Sequence, residues 1–256
     1  MDYPSPSIEN VVQQQEQAKV MQFLSLFNEI DKHFDKILKT EVFLPYNDKI
    51  KRIIEGKYPI SRFLKIYQND LKYFGELRNH ISHGLKVDEY LYAIPTQRAI
   101  DRLSDLVEKI IEPPLCIDHF RKEVFGVQYT DLLKNILDGM KDNGYTHVPV
   151  YSGEKFLGVI TESGILQRLS SHMLDENFID LRKVRIEHLY ISTSSKDYLF
   201  VSAHTNIYQA DEIFTQRKKR GRGLGAMFIT EHGTSVEKII GMISGNDVAL
   251  IDDFVI

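Results

Sequence analysis

The sequence predicts an α+β protein in which an N-terminal all-α helical bundle precedes two similar modules of the βαββα type. Three observations predict this fold class. Apolar residues recur at helical spacing up to about residue 112. Short apolar runs of strand length first appear after Pro114. In this later half one order of elements occurs twice, which indicates an internal repeat at the scale of a domain.

Residues 18–112 have the pattern of a helical bundle. Apolar side chains recur at steps of three or four residues, which gives an apolar face to each of three helices. These side chains are Phe23, Leu24, Phe27, Ile30 and Phe34; Phe63, Tyr67, Leu71, Phe74, Leu77 and Ile81; and, within a helix over Gln97–Ile111, Ile100, Leu103, Leu106, Val107, Ile110 and Ile111. Residues 1–17 are rich in Pro, Ser and Gln and are predicted to form a flexible tail, and residues 113–117 a linker.

Residues 118–178 and 179–256 are predicted to form the two modules. Each has a helix, two strands joined by a turn, and a second helix. The segments are 131–143, 147–151, 156–160 and 165–173 in the first module, and 207–216, 226–229, 238–243 and 247–252 in the second.

The second strand of each module ends in the same pattern of a glycine, two apolar residues and a hydroxyl residue, at Gly158–Gly164 and again at Gly241–Asp247. A carboxylate in the first turn of a helix, such as Asp247, can accept hydrogen bonds from two neighbouring sugar hydroxyls. The free N–H groups of a helix N-terminus favour a phosphate. Ser244 and Asp247 also fit a capping box, which needs no ligand. A cap does not explain the repeated glycine.

Together with the strand His147–Val150, this pattern resembles the CBS module over about residues 118–253. The resemblance implies that the two modules pack through their sheets, with ligand clefts between them. It also implies a regulatory ligand, which we expect to be AMP, ADP or ATP in preference to S-adenosylmethionine.

The same resemblance implies roles for individual residues. Asp247 would hold the ribose, and Thr161 or Ser244 would contact ribose or phosphate. Asn246 lies in the same motif and is counted with the ligand-binding residues. The backbone of one strand would meet the base, at His147, Val148 and Pro149. Because Gly164 stands where the first module would carry its carboxylate, we expect one competent ribose site.

A basic loop, Arg217–Gly223, precedes a strand of the second module. Arg220 and Arg222 are the expected phosphate contacts, because the guanidinium fork matches phosphate oxygens. The loop could also touch RNA. The alternative is a solvated loop whose glycines supply flexibility.

In the helical half, the segment Leu77–Gly84 contains an arginine and a histidine five residues apart, near the end of a helix. This arrangement resembles the motif of the HEPN family over about residues 18–112. The resemblance implies a metal-independent endoribonuclease with Arg78, Asn79 and His83 as catalytic residues. In such an enzyme a histidine near its free pKa can move the proton of a 2′-hydroxyl. The arginine can neutralise charge on the phosphorane.

The spacing of this motif favours a homodimer. Arg78 and His83 are separated by about 140° around an ideal helix, so one chain alone makes a poor catalytic set. Two copies that meet across a two-fold axis can complete it. The alternative is that these side chains satisfy carbonyl groups at the helix end. The domain would then serve dimerisation or binding without catalysis.

Composition bounds the remaining possibilities. The net charge of −4 gives no global attraction to nucleic acid. Cys116 is the only cysteine, so no intrachain disulfide can form, which is typical of the cytoplasm. No signal peptide or apolar run of membrane-spanning length is visible, so we expect a cytoplasmic protein without a membrane partner. The scattered histidines do not have zinc-ligand spacing, and no cofactor is required.

These observations predict an adenine-nucleotide-sensing regulatory protein in which a CBS pair controls a HEPN-like effector. The effector would either cleave RNA or associate with a protein partner. The alternative is a non-catalytic nucleotide-binding adaptor, or a dimerisation module that acts through a protein partner. The expected partners are an adenine nucleotide and a second copy of the chain, with RNA or an unidentified protein as the target.

Overall fold

The chain divides into two units between Pro114 and Leu115. The structure is a computed structural model that describes residues 8–84, 93–173, 180, 182–219 and 223–255. The first unit is helical and the second combines helices with two sheets. The predicted α+β class is confirmed at this level.

Helices account for the first unit in the described residues. They are α1 (Ile8–Leu38), α2 (Tyr46–Glu55), α3 (Ser61–Ile66), α4 (Gln68–Gly84) and α5 (Gln97–Ile111). The predicted bounds of the last helix are confirmed. Its N-cap is Thr96, whose hydroxyl oxygen accepts a hydrogen bond from the Ala99 N–H at 3.2 Å.

Two features of this unit differ from the prediction. The first helix begins at Ile8, so residues 8–17 are helical where a tail was expected. The segment has no Gly or Pro and several Gln and Glu residues, and a helix that packs from Val20 onward extends into it at little cost. The apolar face predicted as one helix is divided into α3 and α4 at Tyr67. The helix α2, which starts directly after Pro45, is not among the predicted helices.

A buried lysine joins α1 to α2. Lys49 is 3% exposed, and its ammonium group lies 2.7 Å from an oxygen of Asp31 and 2.8 Å from one of Asp35. Burial lowers the pKa of Lys49, but the hydrogen bonds to the two carboxylates outweigh it and leave the pKa raised. The charge is therefore retained in the core because both acidic partners are supplied by one turn of α1.

We expect Lys49→Met to lower the free energy of unfolding by about 2 kcal/mol, since it leaves two carboxylates without their partner. The two carboxylates are roughly one-third exposed, so water offsets part of the larger cost seen for fully buried pairs. Urea denaturation followed by circular dichroism measures the change. Lys51→Met, at an exposed position of the same helix, is the control. Equal stability of the two variants would show that the pair contributes nothing.

The second unit consists of two modules with the same order of elements. After α6 (Cys116–Phe120), the first module contains β1 (Val127–Gln128), α7 (Leu133–Asn143), β2 (His147–Ser152), β3 (Lys155–Thr161) and α8 (Glu162–Met173). The second contains β4 (Tyr198–Ser202), α9 (Ile207–Lys219), β5 (Ala226–Thr230), β6 (Gly241–Ser244) and α10 (Val248–Val255). The predicted boundary at residues 178 and 179 lies outside the described residues.

Each module has a three-stranded sheet with the same pairing. The first strand is parallel to the second, and the third is antiparallel to the second. His147 pairs with Thr161 in one sheet, and Ala226 pairs with Ser244 in the other. The registers therefore make Thr161 equivalent to Ser244.

The bounds differ from the prediction at the linker and in the second hairpin. Cys116 and Ile117, expected in a linker, begin α6 and are buried, because the Cys116 N–H donates to the carbonyl of Thr205 at 2.8 Å. The last strand begins at Gly241, where residue 238 was expected. The hydroxyl of Thr230 accepts hydrogen bonds from the N–H groups of Gly233 and Thr234, which keeps the preceding segment in a folded turn.

The repeated glycines have a steric cause. The segment before each module crosses the third strand of the other module, through the bridges Arg121↔Gly241 and Val159↔Ser192. A Cβ at Gly241 would lie 2.6 Å from the carbonyl oxygen of Phe120, and one at Gly158 would lie 2.5 Å from that of Ser192. The crossing backbone therefore leaves no room for a side chain in either copy.

We expect Gly241→Ala to destabilise the chain by about 1–3 kcal/mol, because the methyl group must displace a backbone carbonyl. A lowered melting temperature in a thermal scan would measure this. Gly245→Ala is the matched control, since a Cβ at Gly245 meets no atom within 4 Å. If both variants melt together, the crossing does not require glycine.

Candidate functional site

Asp247 closes a 3₁₀ turn, Gly245–Asp247, between β6 and α10. Its Oδ2 accepts hydrogen bonds from the N–H and the hydroxyl of Ser244, both at 2.7 Å. The side chain is 22% exposed. The capping interaction anticipated from the sequence is therefore present, and it holds the carboxylate in one orientation.

The cap occupies one of the two carboxylate oxygens. Among the residues that the structure describes, no donor lies within hydrogen-bonding distance of Asp247 Oδ1. A carboxylate has about four lone-pair positions, so Oδ1 can accept two further hydrogen bonds. Capping by Oδ2 and ligand binding by Oδ1 are thus compatible in one residue.

A cation from outside the repeat motif lies beside this carboxylate. The ammonium group of Lys122 is 4.0 Å from Asp247 Oδ2 and 5.4 Å from the centre of the Tyr145 ring. Sequence reasoning missed both residues, because they lie in segments that precede strands of the first module. Only the crossing at Gly241 brings Lys122 to the second module, and no local pattern signals that crossing.

The other predicted ligand residues belong to the first sheet. Val148 and Val150 are fully buried, and Pro149 pairs with Val159 of β3. The strand that pairs with Ser244 is β5, at Ala226. The contact of the His147–Val150 backbone with a base stays a prediction, and it concerns the strand beside Thr161.

His147 also reaches the second module. A Cβ at Gly225 would lie 1.9 Å from His147 Nε2, so the ring packs directly on that glycine. The carbonyl of Gly225 accepts from the N–H of Gly245, in the turn that Asp247 closes. Burial lowers the pKa of His147, although the charges of Asp197 and Glu162 act in the opposite direction. A largely neutral imidazole therefore lies next to the Asp247 turn.

In the first module the equivalent position has no carboxylate. The hydroxyl oxygen of Thr161 accepts from the N–H of Gly164 at 3.0 Å and lies 3.1 Å from Ser163 Oγ. A cavity of about 440 Å³ adjoins this turn, lined by Gly164, Gln167, Arg168 and Tyr190. Asn246 lies in the Asp247 turn and is exposed.

The predicted phosphate contacts Arg220 and Arg222 lie outside the described residues. At the other end of the basic segment, the guanidinium group of Arg217 donates to the carbonyl of Ser195 at 2.8 Å. The first arginine of the segment therefore bonds to the backbone between the modules.

The N-terminal motif lies on α4. Arg78 Nη1 donates to Asn79 Oδ1 at 3.3 Å, and its guanidinium carbon is 5.9 Å from the centre of the Phe27 ring. Asn79 is exposed and Arg78 is half-buried. The backbone of His83 belongs to the same helix, while its side chain lies outside the described residues.

None of the helices in the described part of the chain is both long and apolar enough to cross a membrane. This finding concerns the described residues alone.

The family comparison concerns the second unit. Residues 117–171 match the family model of the CBS domain. An uncharacterized protein of Methanocaldococcus jannaschii, MJ1225, is 27% identical over 107 residues. That match covers 40% of this chain and 38% of the relative, so it spans about two-fifths of the relative's length.

Solved structures with similarity to the chain include MJ1225, described as a putative archaeal homolog of g-AMPK, with a TM-score of 0.41 and 22% identity over 65% of this chain and 56% of that one. CBSX2 in complex with AMP has a TM-score of 0.38 and 15% identity, over 54% and 96% of the two chains. Scores at this level carry no argument about the fold. The assignment rests on the family model: residues 117–171 of this chain match the CBS domain.

Proposed function

We propose that the second unit is a pair of CBS modules that senses an adenine nucleotide and regulates an effector in the first unit. The family match covers the first module. The second module supports the pair because its strand order, pairing and glycine crossing repeat those of the first. In this proposal AMP, ADP or ATP is the regulatory ligand, and S-adenosylmethionine is the less favoured one.

The observation that carries the proposal is the open oxygen of Asp247. Its Oδ1 accepts no hydrogen bond from the described residues, while Oδ2 is held by Ser244. Two hydroxyl groups of a ribose can bond to such an oxygen without displacing the cap. The side chain of Asp247 is 22% exposed, so a ligand can reach it.

The relatives support the ligand class. The structure of CBSX2 contains AMP, and that of the CBS pair of MJ0100 contains 5′-methylthioadenosine and S-adenosyl-L-methionine. An adenine base on a ribose ring is common to all three molecules. In this chain, Gly164 replaces the carboxylate of the first module, so we propose a single ribose site at Asp247.

We expect Asp247→Asn to weaken AMP binding about ten- to hundredfold, the range for losing hydrogen bonds to a charged group. Asparagine retains an oxygen that can cap Ser244, so the fold should persist. Isothermal titration calorimetry with AMP, ATP and S-adenosylmethionine measures the affinities.

Asp253→Asn, at an exposed position of α10, is the control and should bind AMP like the wild type. Failure of the wild-type chain to bind any of the three ligands at millimolar concentration would contradict nucleotide sensing. It would leave the modules as a dimerisation device.

For the effector, we propose a HEPN-like domain that forms a homodimer and cleaves RNA without a metal. The specific observation is that Arg78 and Asn79 form a side-chain pair on the same helix as His83. Arg78 would neutralise charge on the phosphorane, Asn79 would orient Arg78, and His83 would move the proton. Control by the ligand requires that the nucleotide bind more tightly to one arrangement of the protein than to another.

We expect the purified chain to cut single-stranded RNA in the presence of EDTA, and His83→Ala to reduce the rate at least about hundredfold, as for loss of a general acid–base group. Gel analysis of a labelled RNA measures the rate. His80→Ala, at an exposed position of the same helix, should retain activity. Intact RNA at high protein concentration, with and without AMP, would instead favour the non-catalytic adaptor that acts through a protein partner.

A further inference from the structure

We propose that Lys122 binds the phosphate of a nucleotide whose ribose is held by Asp247, and thereby makes the site select phosphorylated over unphosphorylated adenine nucleosides. This rests on the proposed function of Asp247. The ligand class is a nucleoside with a 5′-phosphate, represented by AMP. The disfavoured classes are the uncharged nucleoside and the cationic sulfonium of S-adenosylmethionine.

The backbone of Lys122 is fixed at the second module. Its N–H donates to the carbonyl of Ile240 at 3.3 Å, and the preceding residue, Arg121, pairs with Gly241. The base of the side chain is therefore held at the start of β6, and the four-carbon stem extends to the turn that follows the same strand. This placement needs no ligand.

The ammonium group is near the carboxylate without being bonded to it. Its distance of 4.0 Å from Asp247 Oδ2 is the limit for an ion pair, and Oδ2 already accepts two hydrogen bonds at 2.7 Å. Within the described part of the chain, Lys122 Nζ has no hydrogen-bond acceptor and lies over the Tyr145 ring. A lysine ammonium has three donors, so all three can bond to phosphate oxygens.

Lys122 also lines a cavity of about 860 Å³ near the start of β6, together with Arg121, Val124, Tyr151 and Lys238. Asp247 is not among the residues that line this cavity, so only the phosphate end of a nucleotide held by Asp247 would enter it. Three acidic residues, Glu123, Glu154 and Glu237, also line it. Glu237 accepts hydrogen bonds from His232 and from the N–H of Thr234, so its charge is partly compensated. The three cations and three acids that line the cavity have equal and opposite formal charge. The cavity therefore has no general attraction for anions, and a phosphate would depend on a local contact with Lys122.

The first module has neither the carboxylate nor the ammonium group at the equivalent positions. The Phe120 carbonyl lies over Gly241 as the Ser192 carbonyl lies over Gly158, so the residue equivalent to Lys122 is Ser194, two positions after Ser192. Gly164 stands in the place of Asp247. The ribose acceptor and the phosphate donor are therefore a pair that occurs in one copy of the repeat and is absent from the other.

The test compares AMP with adenosine by isothermal titration calorimetry on the full chain at low salt. We expect the wild type to bind AMP about tenfold more tightly than adenosine, the ratio for one charge-assisted hydrogen bond. Lys122→Met should bring this ratio to about one with the affinity for adenosine unchanged. Lys122→Arg should retain the preference, and Lys134→Met, an exposed lysine of α7, should not alter it. Added salt should weaken AMP binding and leave adenosine unaffected.

The outcomes separate the two proposals. If the wild type binds neither AMP, adenosine nor S-adenosylmethionine, the nucleotide site itself is wrong and the role of Lys122 is wrong with it. If the ligands bind but Lys122→Met keeps the wild-type ratio of AMP to adenosine affinity, or weakens both affinities equally, Lys122 does not bind the phosphate. The ribose site at Asp247 then stands. A thermal melt shows whether each variant is folded.

Discussion

The arrangement of the second unit depends on a reciprocal backbone crossing. The segment before each module lies across the third strand of the other, and its carbonyl oxygen occupies the space of a side chain at Gly158 or Gly241. Neither module completes its own sheet edge. The two modules share an aromatic and aliphatic core, which includes Val159, Phe228 and Met242. The two copies consequently behave as one compact unit.

This crossing also explains how a residue that stabilises a helix start can be placed beside a cation and serve as a ligand contact. Asp247 holds its turn through Oδ2, as the third residue after the N-cap does in a capping box. The crossing adds Lys122 from the opposite repeat and Tyr145 beneath it. A local structural role and a ligand role therefore share one carboxylate. Substitutions that remove the whole group disturb both roles, so retention of one oxygen is needed to tell them apart.

The sequence was informative where a pattern is local. The period of apolar residues predicted α5 with its correct bounds and the hairpins of both modules. The sequence pattern was not informative where tertiary contacts determine which elements form and which residues meet. The strand β1 has only two residues, which is too short a pattern to be recognised, whereas β4 was missed although it is as long as β5. In α2 a lysine occupies a buried position through its ion pairs with α1, which no local pattern signals. Lys122 could not be recognised at all, because Ile240 and Asp247, which bring it to the second module, are more than 100 positions away in the chain.

One consequence of the crossing concerns the chain that leaves α5. Immediately after Pro114, Leu115 forms a β-bridge with Asn206, and the Cys116 N–H donates a hydrogen bond to the Thr205 carbonyl. This segment therefore contacts the second module before the chain enters the first. The two modules are therefore interlocked and are not independent units in series. We expect the two fragments produced by a backbone cut between the modules to remain associated. The segment after Pro114 therefore connects the chain that leaves α5 to the residues just before α9, without passing through the first repeat.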